Sequence, residues 1–350
     1  MISQPPQVSI IVPCRNEATW IARCLESIEQ NDYPKDRLEV LVADGMSDDG
    51  TREIAETFAR QHPYVRVLEN PRKIAPAALN LGIAAARGAV VMRMDAHNEY
   101  PPDYVSSLVG WLEKSGADNV GGAWVTRAAS DAAMARAIAV AVSHPFGVGN
   151  AHYRFGTAAP RQVDTVPFGC YRREVFDRIG LFDEELVRNQ DLEFNLRLRK
   201  AGGTILLVPG VVSYYHARDS LSKLWRMYYQ YGYFNPLVTR KLGGRMTLRQ
   251  LVPPLFILSL AVAVPLALVR GVPWTWLPLA VVAAAYGGAV AACCLAAAPR
   301  HGLRCALSLA LVFPTLHFSN GLGSLKGAID FLILRKRLRR SDAEDIPITR

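Results

Sequence analysis

Four acidic or basic clusters sit where a strand or helix would present them. Asp95 closes the apolar run 89–94 and His97 follows it; Asp44 closes the run 38–43. Asp191 opens a segment whose apolar face is Leu192, Leu196 and Leu198, and His216 and Arg218 end the run that starts at Val211. Carboxylates at the carboxyl ends of strands can hold a divalent cation beside a diphosphate, or accept ribose hydroxyls. Asp95 and His97 alternate with Ala96, so an extended segment points both the same way. Each position also has a plainer reading. Loop aspartates make turns and caps, Asp191 suits a helix start, and a histidine at a strand end is often structural.

The elements that would position these groups alternate. Val8–Val12 reads as a buried strand stopped by Pro13, followed by the polar loop Cys14–Glu17 and a helix over 18–30. Strands follow at 38–43, 65–68 and 89–94, with a helix at 75–86 and another opened by Asp49–Thr51 and Glu53. This order predicts an α/β fold with a parallel sheet and right-handed crossovers. No GxGxxG follows the first strand, which speaks against dinucleotide binding. Residues 120–165 are the least legible: Gly121-Gly122-Ala123-Trp124 reads as a binding-site wall or a sheet edge, and 144–154 as a loop.

The 350 residues carry a net charge of +9, and half are hydrophobic, but unevenly placed. Three apolar segments, 251–269, 275–298 and 303–325, each approach the roughly 20 residues needed to cross a bilayer. Basic residues flank them at Arg240, Lys241, Arg245 and Arg249, and again at Arg335-Lys336-Arg337 and Arg339-Arg340. That placement favours an anionic membrane leaflet over nucleic acid as partner. His317, Asn320, Gly321, Gly323 and Lys326 make the third segment irregular, so a re-entrant third segment or a fourth crossing through 329–334 is an alternative to three crossings. The six cysteines show no zinc-type spacing and read as free thiols in a reducing compartment. The residues before the first strand are short and polar, which predicts a cytosolic N-terminal domain.

Pro13-Cys14-Arg15-Asn16-Glu17, Ala43-Asp44-Gly45-Met46-Ser47-Asp48-Asp49-Gly50-Thr51, Asp95-Ala96-His97 and Asn189-Gln190-Asp191-Leu192-Glu193 occur in the order and spacing of family 2 glycosyltransferases. Over about residues 7–235 the chain resembles bacterial members of the GT-A (Rossmann-like) fold that build succinoglycan-type exopolysaccharide. The resemblance implies that Pro13, Arg15 and Glu17 line a uridine pocket and that Asp44 contacts uracil or ribose. It places Asp95 and His97 on the family's DxD metal motif, with Glu99 as the substitute if residue 97 does not ligate. An imidazole suits Mn²⁺ better than Mg²⁺. Asp191 falls on the family's base position, His216 on a late metal or diphosphate histidine, and Arg218 beside it could neutralise phosphate. Processive relatives carry Gln-x-x-Arg-Trp, whereas Gln230-Tyr231-Gly232-Tyr233-Phe234 lacks the Arg and Trp.

The expected organisation is a catalytic domain over 1–235, a basic interfacial linker at 236–250, a transmembrane region over 251–334 and a basic cytoplasmic tail at 335–350. The expected protein is a multi-pass inner-membrane enzyme with its catalytic domain in the cytoplasm. It would move a hexose from a UDP-sugar to a lipid-linked saccharide by an inverting mechanism, with a divalent cation. The alternatives are a sugar transferase onto polyprenyl phosphate, an inactive nucleotide-binding membrane scaffold, and a nucleotidyltransferase, which would want a Gly-rich, Lys-containing first loop.

Overall fold

The computed structural model describes residues 4–244, 246–269, 272 and 274–336, so Arg245, Arg337, Arg339 and Arg340 lie outside it. The chain forms two compact units. Among the described residues, one comprises 4–125 together with His152–Tyr215; the other comprises Thr126–Ala151 and 216–336.

In the first unit, β1 (Val8–Cys14), β2 (Leu38–Asp44), β3 (Val65–Glu69) and β4 (Val90–Arg93) form the parallel half of one sheet, in the order β3-β2-β1-β4. Each is joined to the next by a helix: α1 (Ile21–Glu29), α2 (Thr51–Gln61) and α3 (Ala75–Ala85). The strands are short and apolar because both faces are covered. Ile10 and Val12 pack with α1, whereas Ile11 between them packs with Leu79 and Ile83 of α3. β1 runs through Pro13 to Cys14 and does not stop at the proline, because β4 is already spent opposite Ile11 and Pro13 has only β2 beside it.

Beyond β4 the sheet is mixed, which the alternation of the first half does not foretell. The short β5 (Asn98–Glu99) and α4 (Tyr104–Ser115) are followed by β6 (Asn119–Arg127). After α5 (Ala133–Ala141) and α6 (Pro145–Val148) come β7 (Arg161–Gln162), β8 (Cys170–Arg172), α7 (Glu174–Ile179), α8 (Gln190–Lys200) and β9 (Ile205–His216). β8 lies antiparallel to β4 and to β6, and β5 and β7 lie antiparallel to β9. β6 is an interior strand between β8 and β9 and not an edge. A side chain at Gly121 would collide with Val166, and one at Gly122 with the backbone of Val211, so both glycines serve close approach.

The second unit is helical. α9 (Leu221–Leu242) continues through Pro236 to a left-handed Gly243, so residues 236–242, expected as linker, are the last turns of a helix. α10 (Leu248–Ala267), α11 (Leu277–His301) and α12 (Leu303–Ala328, extended by a π turn to Ile333) are long and apolar enough to cross a membrane. α12 is continuous, so residues 329–334 form no separate crossing.

α9 and α12 run parallel with backbones nearly touching. Asn320 Nδ2 donates to Tyr228 O at 3.4 Å and Ser324 Oγ to Gly232 O at 3.3 Å. A side chain at Gly232, Gly323 or Gly327 would collide with the opposite backbone. His317, Asn320, Gly321 and Gly323, which make the third segment look irregular, therefore lie on its packed faces, whereas Lys326 is exposed. The 126–151 excursion belongs here as well: α5 packs on α12, and Arg136 Nη2 donates to His301 O at 2.8 Å.

Candidate active site

The ends of β1 and β2 lie in register, Cys14 beside Asp44, so the loops that leave them are neighbours. They are stitched together by short side chains. Ser47 Oγ accepts from Asn16 N at 2.9 Å, Asn16 Oδ1 from Asp48 N at 3.1 Å, and Asp49 Oδ2 from Ala18 N at 3.1 Å. Thr51 Oγ1 accepts from Glu17 N at 2.7 Å. Asn16 and Met46 take the left-handed conformation that these crossings need. Arg15 packs over Gly45, where a Cβ would press on its side chain.

Asp44 is fully buried; Ser47 donates to its carboxylate from the hydroxyl at 2.5 Å and from the backbone at 3.2 Å. Its visible work is therefore to shape the 45–47 turn. Asp49, although exposed, accepts from Ala18 and Thr51. Burial raises its pKa, but the Thr51 hydroxyl and then the backbone donors more than offset this, so it lies below the usual aspartate value.

The turn after β4 brings the second group of residues. Asp95 N donates to Tyr100 Oη at 2.7 Å and Asn98 N to Asp95 O at 3.1 Å, which fixes the turn that carries His97. His97 Nδ1 meets Glu17 Oε1 at 3.2 Å, linking this turn to the β1 loop. Glu99 lies on β5 opposite Tyr214.

Arg93, which reads in the sequence only as an interruption of an apolar strand, grips Asp95 with both arms: Nε to Oδ1 at 2.7 Å and Nη2 to Oδ2 at 2.9 Å. The two side chains are 14% and 15% exposed, so this is a largely desolvated ion pair. Burial lowers the Arg93 pKa, but the charge and hydrogen bonds of Asp95, then the charge of Asp191, more than offset it and hold the guanidinium protonated. Arg93 thus lies in the field of both carboxylates.

Asp191 is the second residue of α8, one turn-position inside the helix, and the left-handed Asn189 stands at the cap. Among the described residues the Asp191 carboxylate accepts from the adjacent Leu192 N, at 2.9 Å, and α8 has no side-chain cap bond. Capping therefore does not account for it. α8 is held in place by Arg197, which pairs with Glu193 at 2.8 Å and donates to the carbonyls of Ile179 and Leu181.

Beside the His97 turn is an aromatic group that the sequence reading did not assemble. Trp124 stacks on Tyr215 at 4.7 Å and 13°, and touches Tyr153 and Phe168. His97 meets Tyr215 edge-on at 6.4 Å. The buried Arg154 guanidinium lies 4.8 Å from the Trp124 ring centre and 5.9 Å from that of Tyr215. The Asn98 amide and the Trp124 indole N–H are buried without hydrogen-bond partners among the described residues. Orphaned buried polar atoms of this kind fit a polar ligand. Spacing along the chain cannot pair these groups, since β9 supplies Tyr215 more than a hundred residues after its partner Asn98.

The first unit thus gathers Pro13, Arg15, Glu17, Asp44, Asp95 and His97 at the ends of β1, β2 and β4, with Asp191 linked to Asp95 electrostatically through Arg93. His216 closes β9 and, with Arg218, belongs to the second unit, where Ala217 N bonds Arg127 O at 2.9 Å. Among the described residues no group of three or more His, Cys, Asp or Glu side chains is arranged to hold a metal. Asp95 and His97 supply one carboxylate and one imidazole. That set fits a cation which takes most of its oxygens from a bound diphosphate and water.

A sheet whose parallel half ends in acidic loops, joined to an antiparallel half that carries a second carboxylate, is the GT-A architecture of nucleotide-sugar transferases. The family model for glycosyl transferase family 2 matches residues 9–180. The succinoglycan biosynthesis protein ExoA of Rhizobium meliloti is 35% identical over 246 residues, covering 70% of this chain and 73% of the relative. The chain belongs to glycosyl transferase family 2. A dolichyl N-acetyl-α-D-glucosaminyl phosphate 3-β-D-2,3-diacetamido-2,3-dideoxy-β-D-glucuronosyltransferase of Methanococcus voltae is 29% identical, covering 67% of this chain and 74% of that one. In fold the chain is similar to the mannosyltransferase PcManGT of Pyrobaculum calidifontis, solved with GDP-Man and Mn²⁺. That likeness has a TM-score of 0.56 at 22% identity, covering 91% of this chain and 88% of that one.

Proposed function

We propose that this protein is a membrane-anchored, inverting, UDP-sugar-dependent hexosyltransferase acting on a lipid-linked saccharide at the cytoplasmic face of the inner membrane. The observation that carries the reading is Arg93, which grips Asp95 with both arms and lies in the field of Asp191. It joins the diphosphate side of the site, at Asp95, to the acceptor side, at Asp191. The Methanococcus voltae relative, named for a dolichyl phosphate-linked sugar, supports an acceptor carried on lipid.

In this reading the stitched 14–18 and 44–51 loops hold the uridine, with Arg15 and Glu17 on its rim and Asp44 fixing the turn beneath. A divalent cation held by Asp95 and His97 would neutralise the diphosphate of the donor. Asp191 accepts the proton of the acceptor hydroxyl as its oxygen attacks the anomeric carbon, and UDP leaves from the opposite face in one displacement. The Trp124–Tyr215 stack offers an apolar face for a sugar ring, and the Asn98 and Trp124 donors offer partners for its hydroxyls.

The test is UDP release by the full-length protein, screened across UDP-sugars with membrane lipid extract as acceptor source. Turnover of one UDP-sugar that requires the extract supports the reading; no release with any UDP-sugar overturns it. Release supported equally by polyprenyl phosphate alone would transfer the assignment to the polyprenyl-phosphate reading.

A further inference from the structure

The end of the α9–α12 pair carries a side-chain cluster that the reaction does not use. Asp330 is buried and accepts from Tyr233 Oη at 2.9 Å, Lys326 Nζ at 2.7 Å and Lys336 Nζ at 2.9 Å. Arg240 donates to the carbonyls of Phe331 at 2.8 Å and Lys336 at 3.1 Å, and lies over the Phe331 ring. One carboxylate therefore organises two ammonium groups and stands beside a guanidinium. The Lys326 and Lys336 side chains are 49% and 52% exposed, and each ammonium has three donors, of which Asp330 takes only some. The cluster has two positive charges in excess.

Its place in the unit says which anion it meets. α10 begins beside the same stretch of α9, since Gln250 Nε2 donates to Asn235 Oδ1 at 3.1 Å. Asn235 is two residues from Tyr233, which holds Asp330, and about 7.5 Å of helix rise from Arg240. The apolar helices thus start and finish at one end of the helical unit. Arg240, Lys326 and Lys336 therefore form one basic patch at that end.

We propose that Lys326 and Lys336, organised by Asp330 beside Arg240, bind the phosphate headgroup of an anionic phospholipid. This rests on the reading that α10–α12 lie in a membrane. A lysine near an anionic leaflet contributes about fivefold in affinity, and two about twenty-five-fold.

The experiment uses full-length protein purified in neutral detergent and titrated with phosphatidylglycerol, phosphatidylcholine or inorganic phosphate, with bound lipid read by native mass spectrometry. Retention of phosphatidylglycerol over phosphatidylcholine is expected. Lys326→Gln with Lys336→Gln should weaken it by about twenty-five-fold, and Lys326→Arg with Lys336→Arg should retain it. If the paired glutamine variant does not fold, Lys336→Gln alone, which lies beyond the last helical turn, should show about a fivefold loss. Equal retention of the two lipids, unchanged affinity in the glutamine variants, or full competition by inorganic phosphate at matched concentration would each overturn the proposal. A protein that needs no detergent would fail the membrane reading itself, whereas one that needs detergent yet shows no preference fails only this site.

Discussion

The Arg93–Asp95 pair shows how a single side chain can tie a site together. Arg93→Met leaves a largely buried carboxylate without its cation, and removing one member of such a pair costs about 3–5 kcal/mol. A fall in melting temperature together with weakened UDP binding is the expected result, and a melting curve unchanged from wild type would show that water already screens the pair. Asp191→Asn is the contrasting substitution: it keeps size and place but cannot accept a proton. Turnover should fall by about 10²–10⁴ while UDP affinity is retained, measured on the same thermally checked protein. Asp49 bears on pH. Its folded-state pKa is depressed, so the stability it contributes is present above the ordinary value of about 3.9 and is lost as pH falls through the lower folded value. Asp49→Asn should therefore flatten the acid limb of the stability profile below about pH 4 and leave neutral pH less affected in slope.

At the scale of elements, the association of α9 with α12 depends on glycine. Gly323→Leu would drive a side chain into the Tyr229 backbone, and overpacking of this kind costs about 1–3 kcal/mol. Loss of thermal stability in detergent is the expected readout, and wild-type stability would mean that the two helices can slide apart freely. His317 fastens three elements of the same unit. Nε2 lies 2.8 Å from Phe146 O, so that nitrogen carries the proton, and Nδ1 accepts from Tyr286 Oη at 2.9 Å. His317→Leu strands both partners, each at about 1–3 kcal/mol, and should loosen the segment that carries α6.

On the scale of the whole molecule, the two units are not consecutive in the chain. Residues 126–151 leave the first unit, pack α5 and α6 against α12, and return at His152. A chain cut after Phe234 therefore loses more than an anchor: it exposes the faces of α5 and α9 that α12 covers. Such a protein is expected to aggregate without detergent even though residues 4–125 retain their strands and loops. A monodisperse soluble product with normal UDP affinity would refute that expectation. The full-length protein should fractionate with membranes, given three helices of crossing length.

Much of the first half of the sheet was legible because its code is local. Buried parallel strands are short apolar runs, and the Asn16, Ser47, Asp49 and Thr51 side chains that lock the loops after β1 and β2 sit in the same motifs that mark them. The family motifs likewise fixed the order of Asp44, Asp95 and Asp191. Contacts between distant segments were decided only by tertiary structure. Arg93 reads as a flaw in a strand until the fold sets it against Asp95 and in the field of Asp191. Trp124, Arg154 and Tyr215 meet only because β6 and β9 are neighbours in a mixed sheet. Composition announced three apolar helices, but hydropathy counts residues along one helix and is blind to which ends meet. The Gln250–Asn235 and Arg240–Phe331 contacts determine that, because helix packing depends on which small residues face each other across space.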